Sequence, residues 1–75
     1  MKELLITIAQ GLVNNPAAVT VEEEQSGNQT VLHLHVAPDD MGKVIGKQGK
    51  IAKAIRTVMR SAAGRVNQSV SVEID

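Results

Sequence analysis

Between Lys2 and Val13 the apolar residues Leu5, Ile8, Ala9 and Leu12 recur every three or four positions, which predicts an amphipathic helix over 2–13. Asn14-Asn15-Pro16 ends it, because proline cannot continue the ladder and restricts the residue before it. The period then changes. Residues 17–24 alternate weakly, with Val19 and Val21 on one side and Ala18, Thr20 and Glu22 on the other. Gln25-Ser26-Gly27-Asn28 has turn chemistry. Thr30 to Val36 alternates cleanly, Leu32, Leu34 and Val36 against Val31, His33 and His35. The two strands and their turn predict a hairpin.

Pro38-Asp39-Asp40 signals a helix start, with a carboxylate able to cap backbone N–H groups. A short helix, Asp40 to Ile45, follows and breaks at a glycine turn. In the next helix Ile51, Ile55, Val58, Met59 and Ala62 form an apolar stripe, and Lys50, Lys53, Thr57 and Arg60 a polar one. Gly64 marks its expected end. Gln68 to Ile74 reads as a last strand, with Val70, Val72 and Ile74 facing inward. An α+β fold follows: a three-stranded sheet with three helices on one face, in the order α-β-β-α-α-β, its other face open to water.

At 75 residues the chain reads as one small domain, 1–75, with a marginal core. Without cysteine, neither a disulfide framework nor a thiolate metal site is available. Without Phe, Trp or Tyr, the core is aliphatic, and a nucleic-acid site here cannot stack bases on aromatic rings. The apolar start lacks a basic leader and is too short to span a bilayer, so the expectation is a soluble, cytoplasmic protein. Ser26, Ser61, Ser69 and Ser71 have no His and acid that the sequence can place beside them. The reading is a non-enzyme without cofactor. His33 and His35 share one strand face, but zinc takes three or four ligands and no third is evident nearby. They read as polar residues of a solvent face, and Glu22-Glu23-Glu24 as a solvated strand end.

The net charge of zero hides a dipole. Residues 1–37 set Lys2 against Glu3, Glu22, Glu23 and Glu24. Residues 38–60 set Lys43, Lys47, Lys50, Lys53, Arg56 and Arg60 against Asp39 and Asp40. A neutral chain of this kind can still offer a basic patch to a polyanion.

That patch surrounds Val44-Ile45-Gly46-Lys47-Gln48-Gly49-Lys50-Ile51. A P-loop needs four residues between its glycines and then Lys-Ser or Lys-Thr; here three residues separate Gly42 from Gly46, and Gln48 stands where the hydroxyl belongs. A Rossmann loop needs a third glycine and a strand before it. A turn between two helices offers something else. The first N–H groups of the second helix are expected to be unpaired and to attract a phosphate. Glycines at 46 and 49 leave room for a sugar-phosphate backbone. Lys47 sits at the tip, with Lys43, Lys50 and Lys53 within two helical turns. Such a clamp positions a strand without reading it.

The apolar-Ile-Gly-x-x-Gly pattern formed by Val44, Ile45, Gly46 and Gly49, followed by the aliphatic positions Ile51, Ala52 and Ile55, resembles the KH domain. The element order resembles its type II, prokaryotic topology, and the length and N-terminal start resemble the small bacterial single-KH proteins of the KhpA family. The resemblance implies a Gly-x-x-Gly loop, Gly46-Lys47-Gln48-Gly49, that clamps about four nucleotides of single-stranded RNA. It also implies a basic wall of Lys43, Lys50 and Lys53, and an aliphatic groove for which Val44, Ile45, Ile51 and residues of Thr30–Val36 are candidates. It further implies an RNA chaperone or post-transcriptional regulator, a KhpB-type partner, and a link to cell division and cell shape. The alternative is a protein-interaction or dimerisation module, suggested by the aliphatic first helix and the small residues Ala62, Ala63 and Gly64.

Overall fold

The computed structural model describes residues 1–74. Three helices, α1 (Lys2–Leu12), α2 (Met41–Ile45) and α3 (Lys50–Arg65), accompany three strands, β1 (Thr20–Ser26), β2 (Gln29–His35) and β3 (Val70–Ile74). The order is α-β-β-α-α-β, and the sheet order is β1-β2-β3. β1 and β2 pair antiparallel, with Val21 opposite Leu34; β2 and β3 pair parallel, with Leu32 opposite Val72. Parallel neighbours need a crossover, and α2, the glycine turn and α3 supply it.

The core lies where the helices cover the inner sheet face. Leu5, Leu32, Leu34, Val44 and Met59 are fully enclosed, and Ala9, Val21, Ile55, Ala63 and Val72 join them. Each large aliphatic side chain removed from water contributes roughly 1.5–3 kcal/mol. No helix is long and apolar enough to cross a membrane among the described residues.

Several boundaries differ from the pattern reading. β1 starts at Thr20 rather than residue 17, because Pro16-Ala17-Ala18 closes a 3₁₀ turn through the Ala18 N–H to the Asn15 carbonyl at 3.1 Å. The hairpin turn shrinks to Gly27-Asn28, since Gln25 and Ser26 pair with Thr30 and Gln29. Gly27 carries the turn at φ +61°. Gly64 does not end α3. The helix runs to Arg65, and Asn67 supplies the left-handed residue at φ +58°. The Gln68 and Asn67 N–H groups then satisfy the carbonyls of Ala63 and Gly64, the pattern of a Schellman cap. Ala63 packs on the chain's own core, while a side chain at Gly64 would meet open space.

On the outer sheet face His33 Nε2 lies 3.0 Å from Glu24 and His35 Nε2 2.8 Å from Glu22. The histidines thus pair with the acidic strand end across the hairpin. Among the described residues, no three His, Asp or Glu side chains gather as a metal site.

Candidate nucleic-acid interface

α2 closes on the Gly46 N–H, which donates to the Gly42 carbonyl at 2.8 Å. Gly46 itself has φ +75° and ψ 175°, a conformation open essentially only to glycine. Gln48 and Gly49 follow in the left-handed region, at φ +57° and +73°. The turn therefore spends three positive-φ residues to redirect the chain from α2 into α3.

That turn consumes amides. The Gly49 N–H donates to the Gly46 carbonyl at 3.2 Å, and the Lys50 N–H to the Lys47 carbonyl. The groups expected to be unpaired at the start of α3 are thus partly used by the turn itself. The amides of Lys47 and Gln48, at its exposed tip, take no part in those bonds.

The two glycines also differ. A Cβ at Gly46 would meet the side chain of Ile51, whereas one at Gly49 would meet nothing within 4 Å. Gly46 makes room for the protein's own α3. Only Gly49 keeps an open face.

Lys43, Lys47, Gln48, Lys50 and Lys53 are all exposed, and no salt bridge engages the four lysines among the described residues. Lys53, Arg56 and Arg60, three and four residues apart, lie along one exposed stripe of α3. Arg56 Nε donates to the Val72 carbonyl at 3.2 Å, and a cleft beside it is lined by Gln29, Arg56, Arg60, Val70, Ser71 and Val72. Lys50 instead lines an apolar groove with Ile8, Leu12, Ile51 and Val58, between α1 and α3.

The aliphatic candidates separate by burial. Val44 is fully enclosed and offers no surface to a ligand; Ile45 and Ile51 are half-buried against the core. The expectation for Thr30–Val36 changes as well. β2 is the central strand, with both edges paired and Leu32 and Leu34 enclosed. The strand with a free edge beside α3 is β3. Arg56 and Arg60, read from the sequence as part of the basic patch but not as site residues, thus border the cleft with Ser71. The spacing of Lys53, Arg56 and Arg60 carried that signal.

A family model described as "KhpA/KhpB, KH domain" matches residues 2–74. The chain belongs to that family. It is 58% identical over 74 residues to the RNA-binding protein KhpA of Clostridium acetobutylicum, covering 99% of both chains. It is 47% identical to the protein of the same description from Chlamydia trachomatis, covering 99% of this chain and 95% of the other. Among solved structures, Era of Aquifex aeolicus bound to GDP.AlF4− aligns with a TM-score of 0.67 at 20% identity. A structure of Era with MgGDPNP and nucleotides 1506–1542 of 16S ribosomal RNA aligns with a TM-score of 0.61 at 19% identity. Both alignments cover 97% of this chain but only 28% of Era, and they show a shared fold. The KhpA/KhpB family match thus agrees with a sheet whose β2 and β3 run parallel around a helix-turn-helix crossover.

Proposed function

We propose that this KhpA/KhpB-family chain binds single-stranded RNA by clamping its backbone on the Gly46-Lys47-Gln48-Gly49 turn. The observation that carries the reading is the exposed tip: two backbone amides outside the turn's bonds, an open face at Gly49, and unpaired Lys47. Amides in such a concave turn attract a phosphate. Lys43 neutralises one neighbouring phosphate, and Lys53, Arg56 and Arg60 extend the track along α3 toward the free edge of β3. Ile45 and Ile51 supply the aliphatic surface under the sugars or bases, and Lys50 guards the far side. The curated relatives are named as RNA-binding proteins, which supports the same class. Phosphate contacts hold a strand without selecting it, so specificity is modest. We extend the reading to a cytoplasmic, non-enzymatic RNA chaperone or post-transcriptional regulator that acts with a KhpB-type partner and influences cell division and cell shape.

The test is a titration of labelled single-stranded RNA with the wild type and with the pair Lys47→Asp and Gln48→Asp. The pair is expected to lose binding and to keep its circular dichroism spectrum. RNA retention at wild-type affinity by the folded variant contradicts the clamp.

A second reading, compatible with the first, rests on a different surface. Leu12, Val58 and Val66 are large apolar residues left exposed, and Leu12 and Val58 line the groove between α1 and α3. A second copy or a KhpB-type protein seated there pairs two clamps, and linked weak sites gain avidity.

A further inference from the structure

Asp40 is the charged side chain that the fold buries among the described residues, at 2% exposure. It immediately precedes α2, yet no side-chain bond joins it to the α2 amides. The helix-cap role expected from Pro38-Asp39-Asp40 is thus not the one it takes. Its Oδ1 accepts the Asn14 N–H at 3.2 Å and its Oδ2 accepts the Asn15 N–H at 3.0 Å. Those amides lie in the segment that leaves α1, 26 and 25 residues away along the chain. One carboxylate therefore ties the end of α1 to the start of α2.

α2 has five residues, too few to hold a helix alone. Its place is fixed by Asp40 at its start, by Val44 in the core and by the Gly46 N–H at its end. The end of α2 is the beginning of the glycine turn.

We propose that Asp40 is a positioning residue for RNA binding: its clamp on Asn14 and Asn15 holds α2 in the orientation that presents the Gly46–Gly49 turn. This rests on the RNA-binding reading above. Asp40 is buried and does not reach the ligand, but its negative charge opposes a polyanion. Charge alone therefore makes its removal tighten RNA binding. Positioning makes the same removal weaken it, because affinity falls with the fraction of molecules whose turn is in place. Asparagine keeps the size of the side chain and loses one of the two acceptor oxygens.

Labelled single-stranded RNA is titrated with the wild type, with Asp40→Asn, and with the pair Lys47→Asp and Gln48→Asp. Folded Asp40→Asn is expected to bind about threefold to tenfold more weakly, with faster amide exchange at Gly46 and Gly49, whose N–H groups are bonded in the turn. Equal or tighter binding by folded Asp40→Asn, with binding lost in the Lys47 and Gln48 pair, overturns the positioning role and leaves the clamp standing. Wild-type binding by the Lys47 and Gln48 pair overturns both. If Asp40→Asn does not fold, hydrogen exchange of the wild type decides. Asn14, Asn15 and Gly46 amides opening with one common free energy support the proposal, and independent opening overturns it.

Discussion

The position of a Cβ at Gly46 lies 2.6 Å from Cγ1 of Ile51 and 2.9 Å from its Cβ. The first glycine of the turn is therefore a packing requirement of the protein itself. Its partner three residues on has no such neighbour. The two glycines of one short motif answer to different physics, and they predict different costs.

Gly46→Ala meets both a forbidden backbone region and a rigid branched side chain. It is expected to destabilise the fold by about 2–4 kcal/mol. Gly49→Ala meets only the left-handed backbone, about 1–2 kcal/mol. Urea denaturation of the two variants checks the order. Equal losses mean that Ile51 gives way at little cost.

The α3 cap gives a second contrast. Asn67 sits at φ +58° with no intervening glycine between it and the Schellman bonds. Asn67→Gly is expected to be neutral or slightly stabilising, and Asn67→Ala to cost about 1 kcal/mol. Thermal melts of both variants measure it.

Salt dependence counts the phosphates. With Lys43, Lys47, Lys53, Arg56 and Arg60 engaged, the logarithm of RNA affinity should fall against that of salt with a slope of about −3.5. Lys53→Ala should flatten the slope by about 0.7, whatever the RNA sequence. A slope unchanged in that variant removes Lys53 from the track.

Val58 is 48% exposed on the apolar flank of α3. If that flank pairs with a second copy, Val58→Asp should shift sedimentation toward the monomer while the melt of the monomer moves little. A wild type that remains monomeric at high concentration excludes self-association through this face.

The pattern of apolar positions was enough for the element order and for which face of each strand lies inward. Leu32 and Leu34 alternate with His33, and burial follows that alternation. What the pattern could not show was long-range bonding. Asp40 precedes a helix and reads as its cap, but its carboxylate serves Asn14 and Asn15, which no local rule places nearby. The glycine turn between two helices was legible from spacing, and its basic surroundings from charge. Its division into a packed Gly46 and an open Gly49 depends on where Ile51 points. Val44 had the right type for a groove and proved to be core, because α2 turns that face inward. Lys50 and Lys53 look alike in sequence, yet Lys50 lines the apolar groove between α1 and α3 and Lys53 does not.

The central claim concerns where RNA sits, and amide chemical-shift mapping reads that most directly. Single-stranded RNA added to labelled protein should move the amides of Gly46, Lys47, Gln48 and Gly49 most, with a trail through Lys53, Arg56 and Ser71. The outer sheet face, with Glu22, Glu24, His33 and His35, should stay still. Shifts concentrated on that face, with a silent Gly46–Gly49 turn, would contradict the clamp.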